Sequence, residues 1–336
     1  MNATLELQAQ QASKLTQQYF GKTIGLYAPL YLANYCDNVC TYCGFQQHQD
    51  IPRLKLSPEQ IETECQAIAA TGIQSILLLT GESRVHTPVA YIEAAVRIAR
   101  RFFPHVVLEI YPVDTEEYRK LYEAGADGVT VYQETYDRDR YDQLHKAGRK
   151  KNYDYRYQAP FRIAEAGFRQ ISIGALLGLW DWHKEIPELF AHLDQLLKQY
   201  PGVEYSLSFP RIRILDCETT YYPVSDTDLV EIICQARLRF PRVGINVSTR
   251  ENANMRDHLI GLGVTKISAG SLTTVGGYGS TASTSLSTSP LTTSALTAAV
   301  GQFEVNDERS VAEIKKMISA KGYDPVFTDW RAIANG

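Results

Sequence analysis

The chain has 336 residues, enough for one large core or two ordinary ones. Its 44% hydrophobic and 21% charged residues are ordinary for a globular protein. A formal net charge of -4 and a pI near 6.0 argue against a nucleic-acid partner, and no apolar run approaches the roughly 20 residues that cross a membrane.

Residues 1–22 read as a helical N-terminal extension. The segment is rich in Gln and Thr, carries Glu6, and lacks a basic stretch followed by an apolar core, so no secretion signal is expected and the cytoplasm is the expected compartment. Residues 23–336 read as one domain. Gly25–Ala33 is its first apolar run, followed at once by Cys36, Cys40 and Cys43, half of the six cysteines. Ser57-Pro58-Glu59-Gln60 is an N-cap, a first-turn proline and a capping-box glutamine for a helix over Ile61–Ala70 that Gly72 stops. Further apolar runs follow at Ser75–Thr80, Val106–Tyr111, Gly128–Gln133, Gln170–Leu176, Glu204–Phe209, Gly244–Ser248 and Lys266–Ala269. Amphipathic stretches lie between them, at Pro88–Phe103, Thr115–Ala124, Tyr155–Ala166, Ile186–Tyr200, Asp226–Phe240 and Asn252–Leu262, with Ser310–Ala320 after the last. This alternation predicts a parallel (β/α)8 barrel of the TIM type. An open doubly wound sheet is the competing arrangement, but no glycine fingerprint follows the first run. Gly279–Thr297 departs from the pattern, with 12 Ser or Thr in 19 residues. The segment 279–300 therefore reads as a mobile loop over the barrel's C-terminal face, either a plain insertion or a lid.

In a barrel, the cysteine loop after the first strand lies on the active-site face. Disulfides are rare in the cytoplasm, so three closely spaced thiols point to a bound soft metal centre. A closed zinc site wants four ligands, and only His48 is near enough in sequence to be the fourth. Cys65 and Cys234 lie in helical patterns and read as inert buried thiols, and Cys217 stands in a loop. Three thiolates on a cubane of four irons leave one iron open to another ligand.

The CxxxCxxC loop, with Tyr42 before its third cysteine, resembles the radical S-adenosylmethionine (SAM) enzymes. There the open iron of a [4Fe-4S] cluster chelates SAM, and electron transfer to the sulfonium yields a 5′-deoxyadenosyl radical. The segments LYLANYCDNVCTYCGF, LLLTGE, VTVYQETY, IGALLGL, SFPRIR, STRE and ISAGS extend the likeness to the tyrosine lyases of thiazole biosynthesis, the 2-iminoacetate synthases. That resemblance implies cleavage of the Cα–Cβ bond of L-tyrosine to 2-iminoacetate and p-cresol, with 5′-deoxyadenosine and methionine as co-products. It implies thiazole synthase as protein partner and a reducing protein such as flavodoxin or ferredoxin.

The resemblance, together with position and charge at the strand ends, assigns the roles. Cys36, Cys40 and Cys43 bind the cluster. Gly81 lets backbone approach a ligand, and Glu82 accepts from the SAM ammonium. Gln133 and Glu134 face the SAM ribose or the substrate. Tyr42 packs at the adenine edge. Arg156 pairs with the SAM carboxylate, or is a solvated helix arginine. Arg250, assisted by Ser268, holds the tyrosine carboxylate. Arg211 and Arg213 join the catalytic face, unless one of them pairs internally with Glu251. No cysteine follows Cys234, which separates this sequence from the hydrogenase-maturation relatives with a second cluster on a C-terminal extension. A related lyase acting on tryptophan, or a non-catalytic metal-binding scaffold, are the alternatives.

Overall fold

The computed structural model describes residues 3–212, 221–279 and 301–327. The Ser/Thr-rich segment expected to form a mobile loop falls almost wholly at 280–300, and Arg213 and Cys217 fall within 213–220, all outside the described residues.

Eight parallel strands close on themselves. They are β1 (Thr23–Ala33), β3 (Ser75–Thr80), β4 (His105–Glu109), β5 (Gly128–Glu134), β7 (Gln170–Ala175), β8 (Glu204–Ser208), β9 (Gly244–Val247) and β10 (Lys266–Ser268). The ring is sealed where Gly25, Leu26 and Tyr27 pair with Lys266, Ile267 and Ser268. A further short strand, β11 (Asp324–Val326), pairs in parallel with Thr23–Gly25. Every apolar run of the sequence forms one strand of the ring, because a strand covered outside by helices and facing inward to its neighbours needs few charges on either face.

The helices lie where periodicity puts them. They are α2 (Pro58–Ala70), α3 (Val89–Ala99), α4 (Thr115–Glu123), α8 (Trp182–Gln199), α9 (Asp226–Arg239), α10 (Ala253–Leu259) and α11 (Val311–Ala320). Ser57 caps α2 in the capping box read from the sequence. The stretch expected as one helix from Tyr155 to Ala166 is two, α6 (Tyr153–Tyr157) and α7 (Ala159–Glu165). Pro160 breaks it, since it has no N–H for the Arg156 carbonyl and its ring crowds that position. The leading helix α1 (Ala3–Phe20) packs on α9, burying Leu5, Ala12 and Thr16. Among the described residues no helix is long and apolar enough to cross a membrane.

A small two-stranded ribbon has no counterpart in the sequence reading. After β5 come α5 (Arg138–Leu144) and β6 (His145–Ala147), and β6 pairs antiparallel with β2 (Val39–Cys40) inside the cysteine loop. The barrel interior also departs from the usual packed core. Its lower half encloses a cavity of about 600 Å³ whose wall includes Ser75, His105, Thr130, Gln170, Ser206 and Asn246. His105 bridges two strands there, with Nδ1 2.7 Å from Ser75 Oγ and Nε2 2.5 Å from Gln170 Oε1. Burial, aided by Lys266, holds its pKa down at about 3, so the ring is neutral.

Candidate active site

The site lies at the upper, C-terminal ends of the strands and begins with the cysteine loop. The loop is sewn to the barrel by backbone bonds. Gly81 N–H donates to the Ala33 carbonyl at 2.9 Å and Asp37 N–H to the Glu82 carbonyl at 3.0 Å. A Cβ at Gly81 would stand 2.9 Å from the Tyr35 carbonyl carbon, so what this glycine admits is the cysteine loop's own backbone. Arg53, unremarked in the sequence, clamps the far end by donating to the carbonyls of Asn34 and Phe45, both at 2.8 Å, and of Gln46 at 2.7 Å.

Cys36, Cys40 and Cys43 are free thiols on the wall of one cavity of about 70 Å³. Burial, reinforced by Glu82, pushes the Cys36 thiol up to about 11, and burial raises Cys40 and Cys43 as well. A soft metal binding here displaces their protons. Asn38 Nδ2 makes a long contact to Cys36 Sγ at 3.8 Å, and backbone N–H groups of Asn38 and Glu82 face Cys36 and that of Phe45 faces Cys43. Three convergent soft donors, with backbone N–H groups turned toward two of them, fit an iron–sulfur cluster.

Four charged side chains close the same cavity. Arg156 reaches Glu82 at 2.9 Å and Glu134 at 3.6 Å, and Lys150 reaches Glu134 at 2.7 Å and Glu82 at 3.7 Å. Burial alone would raise the Glu82 carboxyl, but Arg156 and Lys150 outweigh it and hold it at about 2. Arg156 is only 6% exposed, so the solvated-helix reading of it does not hold. Lys150, like Arg53, has no mark in the sequence. Its run, Arg149-Lys150-Lys151, is indistinguishable by composition from a solvated basic patch, and only the β2/β6 ribbon turns it inward.

Asn38 ties these parts together. Its side chain donates to Glu82 Oε2 at 2.9 Å and accepts from the Lys150 backbone N–H at 2.9 Å. Tyr42 Oη lies 2.8 Å from His145 Nε2, and His145 Nδ1 lies 2.7 Å from the Tyr141 carbonyl. The carbonyl requires the proton on Nδ1, and burial keeps the ring neutral, so Nε2 accepts from Tyr42. Glu134 has φ of 75°, the only positive value of a non-glycine residue among the described residues, at a register shift in β5. Such a backbone persists only when its surroundings enforce it, and here it turns the carboxylate toward Lys150. Gln133 is buried with neither amide atom hydrogen-bonded, and it is not in the wall of either upper cavity.

A second cavity of about 110 Å³ adjoins the first and shares Cys43, Glu109, Glu134 and Lys150 with it. Arg250, just beyond β9, lies in its wall with the guanidinium 3.7 Å above the Phe303 ring. Burial lowers the Arg250 pKa. Ser268 and Ser271 are 2% and 5% exposed, with hydroxyls that make no hydrogen bond of ordinary geometry, although Ser268 lies beside the Tyr27 hydroxyl. The Ser268 carbonyl is braced from behind by Arg256, which also pairs with the buried Asp307. Burial and the negative charge of Glu134 push Glu109 up to about 7.

Arg211 is not part of this wall. Its guanidinium pairs with Glu251 and Asp226 and donates to the Val224 carbonyl at 3.0 Å, which is the internal pairing left open by the sequence.

Comparison with known proteins agrees with this geometry. The radical SAM superfamily model matches residues 30–193, and the biotin and thiamin synthesis associated domain matches residues 208–324. The 2-iminoacetate synthase of Salmonella typhimurium is 38% identical over 330 residues, 97% of this chain and 83% of that protein. The 2-iminoacetate synthase of Escherichia coli is 36% identical over the same shares. The crystal structure of HydG, a maturase of the [FeFe]-hydrogenase, superposes with a TM-score of 0.90 at 30% identity, covering 100% of this chain and 72% of that one. With a cysteine loop on the first strand, a charged cavity beside it and likeness along almost its whole length, the chain belongs to the radical SAM superfamily and, within it, to the 2-iminoacetate synthase family.

Proposed function

We propose that this protein cleaves the Cα–Cβ bond of L-tyrosine, giving 2-iminoacetate and p-cresol, with SAM converted to 5′-deoxyadenosine and methionine. The observation that carries this reading is the 38% identity to a 2-iminoacetate synthase across 97% of the chain. The two adjoining cavities support it, one with three thiols and paired charges, the other with a half-buried arginine and buried hydroxyls.

When bound, the cluster and SAM supply the reducing power and the hydrogen-abstracting radical. The chain supplies the rest. Cys36, Cys40 and Cys43 hold the cluster. Glu82 accepts from the SAM ammonium, and Arg156, released in part from Glu82, takes its carboxylate. Tyr42, fixed through His145, lies at the adenine edge, and Glu134 faces the ribose or the substrate. Arg250 binds the tyrosine carboxylate with Ser268 beside it, as a planar guanidinium suits a carboxylate. The narrow shared wall keeps substrate and cofactor apart from bulk water, which guards a reactive imine. A thiazole synthase is the fitting consumer of that imine, and a flavodoxin- or ferredoxin-type protein the fitting electron donor.

The test is the anaerobically reconstituted enzyme with reductant and SAM, offered tyrosine or tryptophan. p-Cresol from tyrosine is the expected product. An indolic acid from tryptophan, with no p-cresol from tyrosine, would reassign the substrate, and iron-free protein that binds its partner fully would point to a scaffold.

A further inference from the structure

We infer that Glu109 binds the α-amino group of the substrate, accepting hydrogen bonds from it and so selecting α-amino acids over molecules that lack the amine. The inference rests on the reading above, that the substrate carboxylate lies at Arg250.

Along β4, Val106 and Leu108 are buried between barrel and helices, while His105, Val107 and Glu109 line the interior cavities. Two of these three serve the lower cavity. Glu109, at the strand's upper end, is in the wall of both upper ones, with the cysteines on one side and Arg250 and Ser268 on the other. The remaining carboxylates around it are satisfied. Glu82 is held by Arg156 and Asn38, Glu134 by Lys150, and Glu251 by Arg211. Glu109 has no hydrogen bond or ion pair among the described residues.

A carboxylate left in a partly desolvated cavity without a donor is unfavourable, and the penalty is relieved when a cation arrives. The ligand proposed for this cavity brings one. An α-amino acid carries an ammonium with three donors beside its carboxylate. Arg250 and the hydroxyls of Ser268 and Ser271 are donors suited to the carboxylate. Glu109 is the acceptor that the other charge requires, and it sets the amino end of the substrate at the border with the cofactor cavity.

The experiment uses the reconstituted, SAM-loaded enzyme without reductant, so that nothing turns over. Calorimetry measures the affinity for L-tyrosine and for desaminotyrosine. The wild-type enzyme is expected to prefer tyrosine by about 10- to 100-fold, the scale of a hydrogen bond to a charged group. Glu109→Gln is expected to lose that preference while keeping its affinity for desaminotyrosine, its iron content and its affinity for SAM. Glu109→Asp, which keeps the charge, is expected to retain part of it. The assignment is overturned if Glu109→Gln binds tyrosine as the wild type does, or if it weakens both ligands or SAM alike, which marks a packing role. Should Glu109→Gln fail to hold the cluster, Glu109→Asp decides: a preference for tyrosine below that of the wild type, with affinity for desaminotyrosine unchanged, supports the assignment, and an undiminished preference overturns it. An enzyme that forms p-cresol yet binds both ligands equally well overturns the role of Glu109 alone. One that forms no p-cresol and binds no tyrosine overturns the functional reading instead.

Discussion

Lys150 matters to the cofactor cavity before anything binds there. Glu82 and Glu134 are two anions with little access to solvent, and Arg156 alone is one cation, so Lys150 completes the balance. Breaking a buried charge set by removing one member leaves an uncompensated charge behind and typically costs about 3 kcal/mol or more. Lys150→Met is therefore expected to lower the thermal midpoint clearly, and adding Glu134→Gln to it is expected to recover part of the loss. A single variant that melts with the wild type, or a double variant that melts lower still, would mean that the four charges do not act as a set. The contrast with the cysteines shows what was legible at this scale. Cys36, Cys40 and Cys43 declare themselves because their spacing lies within one loop. Lys150 and Glu109 have no local signature, since the groups that share their cavity come from distant parts of the chain. Arg211 misleads for the same reason: a strand-end arginine looks the same in sequence whether it faces a ligand or Glu251.

At the scale of elements, the eight strands were readable because each is an apolar run bounded by turn signals, and capping residues marked α2. The β2/β6 ribbon was not, because strands of two and three residues are too short to show a periodicity. Yet this ribbon folds Lys150 and His145 over the cysteines. Its hinge is Gly148, with φ of 90° and ψ of 179°, a conformation open almost only to glycine. A Cβ there would also fall 2.7 Å from Asn38 Cα and from the Asp37 carbonyl oxygen, inside the cysteine loop. Gly148→Ala is thus expected to cost about 1–3 kcal/mol in backbone strain, and to displace Asn38 from Glu82. The barrel has no part in that clash. Circular dichroism should stay native while iron retained after anaerobic reconstitution and desalting falls to less than half. Full iron retention in Gly148→Ala would show that the loop keeps its shape without the ribbon.

Over the whole molecule, the ring is not equally tied all round. β1 pairs with β3 from Ala28 to Ala33, and β5 with β7 from Gly128 to Glu134. On the far side, β10 meets β9 only at Lys266 and Ile267, and meets β1 only from Gly25 to Tyr27. β5 meets β4 only at Gly128 and Val129, but its other edge is held along the whole ladder to β7, whereas β10, where Ser268 stands, has a short ladder on both edges. Arg256 and Asp307 stiffen the weak side from behind, and β11 lengthens the pairing of β1 below it. Opening free energies follow such differences in buried backbone pairing. Amides over residues 265–269, where Ala269 N–H donates to the Tyr27 carbonyl, should therefore exchange with deuterium sooner than those over 129–133. A ligand that binds only the closed ring slows its opening by mass action, about 100-fold at a hundred times its Kd. Tyrosine added to the SAM-loaded enzyme should accordingly protect 265–269 far more than 129–133. If both segments exchange together and gain equally, the barrel opens as one unit and ladder length does not govern where the substrate enters.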